Sequence, residues 1–348
     1  MSKVEFSQLG HLALITLNRP DKLNAVDHDM VTAITAALDG WADDDTVATV
    51  AIRGAGTRGL CAGGDILALH HHISTGQADA ATAFWRDEYH LNATIARFPK
   101  PYLSIMDGIV LGGGVGLSAH GSHRVVTERS QVGMPETAIG FVPDVGGTWL
   151  LSHAPGELGT YLALTAESVG PGDALALGLA EHFVPSGRIF ELLHRAAHSD
   201  IEDAIAAVAS APPAAQLLPH RKWIDRAFNA ASMRELEDNL GHVGTSAADR
   251  ALARIARNSP TALELTLAAL RRARGLNSLE EALAQELRVS VRCFALPDFA
   301  EGIRARVIDR DRTPNWADSC PNPAWTEPYF QPLHPAELHT IKNTRSNQ

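Results

Sequence analysis

The stretch Met134 to Gly147 reads MPETAIGFVPDVGG. It places two carboxylates, Glu136 and Asp144, among apolar residues and the turn formers Pro135, Gly140, Pro143, Gly146 and Gly147. A carboxylate is costly in apolar surroundings unless it is paired, hydrogen-bonded or protonated. Two of them close together can divide labour. One acts as base or nucleophile, and the other orients substrate or delivers a proton. The plainer alternative is helix capping, for which Asp144 stands in position before the helical-looking VGGTWLLS.

Two glycine-rich turns supply the other chemical feature. GLCAGGDI, residues 59–66, follows a strand-like segment, and a helix starting near Asp65 would point the N–H of Gly64 outward at its positive end. That is an oxyanion donor, or else the segment is a tight strand-to-helix turn with Asp65 as its cap. LGGGVGLSAHG, residues 111–121, can supply a second donor in the same way. It has neither the GxGxxG register of a dinucleotide site nor the Gly-Lys-Ser/Thr of a P-loop. Two such turns form an oxyanion hole from two chain segments, each donor worth roughly 3–4 kcal/mol of barrier in acyl chemistry.

Other reactive residue types read blandly. Ser118 lacks the second glycine of a nucleophile elbow and reads as a helix residue. Cys61 has no basic partner near it in sequence and reads as a packed small side chain. His70, His71 and His72 are consecutive, so a helix cannot turn all three toward one ion. No HExxH or other metal spacing occurs, so no metal site is expected.

The elements that must position these residues alternate in the first half. Residues 4–9 and 11–17 read as paired strands around Gly10, and Asp27 can cap a helix with Val31, Ile34, Leu38 and Trp41 on one face. TVATVAIRG (46–54), YLSIMDG, HRVVTE and SQVGM read as further strands, with a helix over 77–97. This alternation argues an α/β fold. Beyond about residue 156, alanine and leucine at helical spacing dominate. TALELTLAALRRARGL and LEEALAQELRVSVRCF are the clearest amphipathic helices. Residues 211–219 read as a break in this helical half, and the final stretch, rich in Pro, Trp and Asn, as an irregular tail.

Composition bounds the function. With 348 residues the chain can bury a sizeable core. No apolar run reaches the roughly 18–20 residues of a membrane span. The first residues carry acid and polar groups where a signal peptide would have its apolar centre. A net charge of −10 disfavours nucleic acid as partner. The three cysteines, Cys61, Cys293 and Cys320, form no disulfide framework and suit a reducing compartment. The protein is therefore expected to be soluble and cytoplasmic.

CAGGDI and LGGGVGLS followed by MPETAIGFVPDVGG resemble the crotonase (enoyl-CoA hydratase/isomerase) superfamily, and within it the 3-hydroxyisobutyryl-CoA hydrolase branch. The resemblance runs over nearly the whole chain, from ITLNRPDKLNAV through FWRDEYHLN to RVIDRDRTPNW. The two glycine turns are superfamily-wide, whereas PETAIGFVPDVGG is far more specific to the hydrolase branch. The resemblance implies a crotonase-like spiral of ββα units over residues 1–210. A C-terminal helical region and tail, residues 211–348, would cover the site. It implies oxyanion donors at Gly64 and Gly113, with Glu136 as main catalytic carboxylate and Asp144 as its partner. Glu88 would contact substrate and Lys22 a phosphate of coenzyme A. Residues alone would have made Glu88 an exposed helix residue.

The implied activity is thioester hydrolysis in valine catabolism on a small acyl-CoA. The CoA is part of the substrate, and no separate cofactor is called for. A homo-oligomer is implied, a trimer or its multiple, or a dimer. Enoyl-CoA hydratases carry a second glutamate three residues after the middle glycine of the GGG turn, and here that position is Gly116. Simple hydratase activity is thereby disfavoured. An enoyl-CoA isomerase, which needs one glutamate, and a non-catalytic CoA-binding scaffold are the alternatives.

Overall fold

The computed structural model describes residues 2–317, 323–333 and 337–338. Strands β1 (Val4–Leu9) and β2 (Leu12–Leu17) form an antiparallel hairpin turned at Gly10. Asp27 accepts a hydrogen bond from the Met30 N–H at 3.1 Å and starts α1 (His28–Ala42). That helix buries Val31, Ile34 and Leu38 as the spacing predicts, adds Met30, and leaves Trp41 only partly buried.

Three successive units then repeat one pattern. β3 (Thr49–Gly54) and β4 (Gly59–Cys61) lead into α2 (Ile66–Ser74) and α3 (Ala78–Ala96). β5 (Tyr102–Met106) and β6 (Ile109–Leu111) lead into α4 (Gly113–Ser118). β7 (His123–Val126) and β8 (Gln131–Gly133) lead into a 3-10 turn, Glu136–Ile139, then α5 (Gly147–Ser152) and α6 (Leu158–Thr165). Short strands β9 (Ser168–Val169) and β10 (His182–Phe183) flank α7 (Pro171–Ala176).

Each unit gives one strand to each of two sheets. The larger sheet runs β1-β2-β3-β5-β7-β10 and the smaller β4-β6-β8-β9. Pairing is parallel except for β1 with β2 and β8 with β9. This is a spiral of ββα units rather than a single doubly wound sheet, a distinction alternation alone does not make. Parallel strands covered on both faces read as near-continuous apolar runs, and all of β5, Ser104 included, is buried. The strand expected from residue 46 begins at Thr49, because Asp44 accepts from both the Thr46 N–H and its hydroxyl and ties that segment into a turn.

Helices dominate the rest, as expected: α8 (Ile189–Ala196), α9 (Ile201–Ala206), α10 (Arg221–Phe228), α11 (Met233–Gly241), α12 (Ser246–Ile255), α13 (Pro260–Ala273), α14 (Leu279–Cys293) and α15 (Pro297–Ile303). Ser232, Thr245, Ser259 and Ser278 cap four of them through side-chain oxygens. Residues 211–217 carry neither helix nor strand. A π-helical turn, Arg304–Ile308, precedes the expected irregular tail, which holds a 3-10 segment, Pro323–Phe330. The rest of that expectation, with Cys320, lies largely outside the described residues. No described helix is long and apolar enough to cross a membrane. α14 packs back on α3 and α5, and α13 on α5 and α6. The main apolar core runs from Val4 to Leu338, a second one joins β2, β3, β5 and β7 to α8 and α9, and a C-terminal helix reaches the strand ends of the spiral.

Candidate active site

β4 and β6 lie side by side, and each ends in a glycine turn. The neighbouring peptide groups are consumed in the ladder. Val26 N–H donates to the Gly63 carbonyl at 2.9 Å, Asp65 N–H to Val26 at 2.7 Å and Gly112 N–H to Gly133 at 3.2 Å. Among the described residues the N–H groups of Gly64 and Gly113 have no backbone acceptor. The two turns are in close contact, since a Cβ on Gly113 would lie 3.3 Å from the Gly64 nitrogen. Asp65 accepts from the Ala68 N–H at 3.3 Å, capping α2, and from Arg19 at 2.7 Å. The two readings of this turn are thus compatible: Asp65 caps the helix while the Gly64 N–H remains available.

Three carboxyl groups converge on these turns from three elements. Glu88 comes from α3, Glu136 from the 3-10 turn and Asp144 from the loop before α5. All three line one cavity of about 290 Å³ together with Gly64 and Gly113. Its walls are apolar, with Leu69, Phe84, Trp85, Ile139, Phe141 and Phe299. Trp85 stacks on Phe141 at 5.5 Å and Phe141 on Phe299 at 4.7 Å. Glycine is required at the turn: a Cβ on Gly112, at φ +49°, would lie 2.6 Å from Oε1 of Glu136.

Burial sets the protonation of the acids. It holds the Glu136 carboxyl well above the usual range, and the nearby Asp144 and Glu286 add to the effect. Glu88 is raised in the same direction by burial and then by Asp144. Asp144 is pushed up to about 7 by burial, although the Tyr89 hydroxyl, donating to Oδ2 at 2.8 Å, favours its ionised form. Oε1 of Glu88 and Oε2 of Glu136 are buried with no hydrogen-bond partner. Buried polar atoms in that state are rare, and these two face a cavity able to hold a polar ligand. Donors for a developing oxyanion beside carboxyls able to hold or release a proton form the equipment of acyl chemistry.

The family model described as enoyl-CoA hydratase/isomerase matches residues 12–323. The chain belongs to the enoyl-CoA hydratase/isomerase family. Curated relatives include 3-hydroxyisobutyryl-CoA hydrolase, mitochondrial, from Danio rerio, 39% identical over 91% of this chain and 86% of that protein. The Homo sapiens protein of the same name is 38% identical over 90% and 84%. Among solved structures, a carnitinyl-CoA dehydratase from Mycobacterium thermoresistibile superposes with TM-score 0.93 at 44% identity, covering 99% of this chain and 100% of that one. An enoyl-CoA hydratase from Rhodobacter sphaeroides gives TM-score 0.92 at 42% identity, over 97% and 100%.

These names correct one expectation. The curated relatives are named as mitochondrial proteins, so the cytoplasmic assignment does not stand. The cysteine argument behind it cannot separate the two compartments, because both keep thiols reduced.

Gly116, the position where the resemblance implies a hydratase's second glutamate, has little room for a side chain. A Cβ on Gly116 would lie 2.6 Å from Cβ of Val145 and 2.9 Å from Nδ2 of Asn92. Val145 itself sits at φ +52°, a left-handed conformation uncommon for a β-branched residue. Two bland readings of the acids fail. Asp144 does not cap α5 with its side chain; the cap is Gly146, and the Asp144 carboxylate turns to Tyr89 instead. Glu88 is not an exposed helix residue but only 2% exposed, on the inner face of α3. Lys22 lies outside the cavity, half-exposed, with its ammonium 3.4 Å from Asp65.

The reactive types set aside earlier are inert. Cys61 is fully buried, its thiol pushed up to about 12. The Ser118 hydroxyl donates to the Gly114 carbonyl of its own helix at 2.6 Å. No cluster of metal-ligating side chains occurs among the described residues. Sequence reasoning missed Tyr89, His120, Glu286 and Ser290, which surround the Asp144 loop. Tyr89 adjoins Glu88 in the chain, but Glu286 and Ser290 lie far along it in a segment whose periodicity signals only an amphipathic helix.

Proposed function

We propose that this protein hydrolyses the thioester of 3-hydroxyisobutyryl-CoA, giving 3-hydroxyisobutyrate and CoA, a step of valine breakdown. The observation that carries the reading is the pairing of a buried Asp144 with a Gly116 position that has no room for an acid. That arrangement suits acyl transfer better than water addition, and the curated hydrolases named above support it.

In this reading the thioester oxygen lies between the N–H groups of Gly64 and Gly113, which stabilise the oxyanion as the tetrahedral intermediate forms. Glu136 attacks the carbonyl carbon as its carboxylate, or removes a proton from a water that attacks. Collapse of the intermediate breaks the C–S bond, and the CoA thiolate leaves and takes a proton. On the first route a mixed anhydride forms and is then cleaved by water. Asp144 binds the substrate hydroxyl or positions that water and its proton. Glu88 also contacts the substrate hydroxyl, its Oε1 having no partner within the protein. The aromatic wall around Trp85, Phe141 and Phe299 keeps the site dry, which strengthens these electrostatic effects.

Turnover in oxygen-18 water tests the mechanism: heavy oxygen in the Glu136 carboxyl requires an anhydride whose glutamyl carbon is attacked by water, whereas direct water attack on the thioester leaves Glu136 unlabelled. The likeness to the carnitinyl-CoA dehydratase and enoyl-CoA hydratase structures favours a second reading, water addition to or removal from a CoA ester. Hydration as hydratases perform it uses two glutamates, and this chain has one of them. Crotonyl-CoA hydration measured beside thiol release distinguishes the two.

A further inference from the structure

The loop that carries Asp144 is strained, and something must hold it. Val145 is β-branched and sits at φ +52°, and Gly146 follows at φ +80°. A residue held in this region is strained and persists only where its surroundings impose it. Three side chains impose it here. His120 Nε2–H donates to the Val145 carbonyl at 2.7 Å. Glu286 accepts the Gly146 N–H at 2.6 Å and the Thr148 N–H at 2.8 Å, one on each carboxyl oxygen. The Thr148 hydroxyl donates to the same carboxyl at 2.5 Å. Glu286 is 1% exposed.

The carboxyl of Asp144 is held separately. Tyr89 donates its single proton to Oδ2 at 2.8 Å, and Ser290, 2.8 Å from the same tyrosine oxygen, donates to Tyr89 in turn. Glu286 and Ser290 are four residues apart on α14, so they share one face of that helix. The Ser278 cap fixes where the helix starts.

We propose that α14 is the positioning element for Asp144: Glu286 fixes the backbone of its loop, and Ser290, through Tyr89, fixes its carboxylate. The inference rests on the hydrolase reading for its effect on turnover, though the geometry does not depend on that reading. The groups facing Asp144 are Glu88 and Tyr89 from α3, Glu136 from the 3-10 turn, and Glu286 and Ser290 from α14, with His120 on the next carbonyl. Most are acids or neutral donors. Removing the Tyr89 hydroxyl therefore leaves the ionised form of Asp144 less favoured, and its titration moves to higher pH.

Thiol release from 3-hydroxyisobutyryl-CoA tests this in Tyr89→Phe, Ser290→Ala and Glu286→Gln. The expected result is a fall in kcat of about 10- to 100-fold for Tyr89→Phe and Glu286→Gln, a smaller fall for Ser290→Ala, and KM within about threefold of wild type. The acidic limb of the pH profile should shift upward in Tyr89→Phe. Values of kcat within twofold of wild type, with an unmoved limb, would overturn the proposal. If Glu286→Gln does not fold, the other two variants decide. NMR titration of isotope-labelled aspartate reads Asp144 without turnover. An upward shift in Tyr89→Phe supports the clamp even if wild type releases no thiol, an outcome that would sink only the hydrolase reading. No shift there overturns the clamp.

Discussion

Val145 fills the space that any side chain on Gly116 would need. A Cβ on Gly116 would lie 2.6 Å from Cβ and 3.0 Å from Cγ2 of Val145. The strained loop that aims Asp144 at the cavity thus also closes the position of a hydratase's second acid. In this chain an acid at position 116 would have to displace Val145, so a single substitution there is not expected to convert one activity into the other.

Gly116→Glu is accordingly expected to lower thiol release without creating crotonyl-CoA hydration, and to destabilise the fold by about 1–3 kcal/mol through overpacking. Thermal denaturation and the two assays check it. Hydration gained at unchanged Tm would contradict the packing account.

Gly112→Ala addresses the oxyanion turn. The added methyl would lie 2.6 Å from Oε1 of Glu136, at a φ of +49° that alanine adopts poorly. Displacing the carboxyl by an ångström should reduce kcat by about 100-fold. Steady-state kinetics on folded protein decide it, and near-wild-type turnover would remove Glu136 from the reaction centre.

Glu88 is predicted to recognise the hydroxyl of the acyl group. Its Oε1 is buried without a partner beside Gly113. A site built to hydrogen-bond a hydroxyl rejects the analogue that lacks it. Glu88→Ala should therefore lose kcat/KM on 3-hydroxyisobutyryl-CoA by about 10-fold or more while changing isobutyryl-CoA little. An equal loss on both esters would assign Glu88 to something other than the hydroxyl.

Stability should fall as pH rises. Asp144 is raised to about 7 and Glu286 to about 8, both by burial, and Glu88 and Glu136 move in the same direction. An unfolded chain releases these protons at about pH 4, so above that the folded state binds more protons than the unfolded one. The slope of stability with pH is then negative until the folded-state values are passed. Tm should decline from mildly acidic to mildly alkaline pH, and Asp144→Asn should flatten that decline. A Tm that rises through this range would contradict the assigned protonation.

Part of the lining of the candidate cavity is legible in the sequence, and the reason is local. Gly64 and Glu136 lie in short segments whose turn residues announce a strand end, so their neighbourhood can be read from adjacent letters, whereas Gly113 is singled out within its turn only by the resemblance. Asp144 misleads for the same reason: a proline before it and a helix after it suggest a cap, but the carboxylate turns to Tyr89 on a distant helix. Glu88 and Glu286 are acids within helices, and helical periodicity alone cannot say which polar position faces another element. The spiral itself is hidden likewise, because β4, β6 and β8 are three residues each and their shared sheet is a tertiary fact.

The central claim is thioester hydrolysis assisted by Glu136 and Asp144. The most direct measurement is thiol release from 3-hydroxyisobutyryl-CoA beside hydration of crotonyl-CoA, for wild type, Glu136→Gln and Asp144→Asn. The account predicts fast thiol release by wild type, its loss in both variants, and negligible hydration. Hydration or isomerisation without thiol release, or thiol release untouched by either substitution, would contradict it.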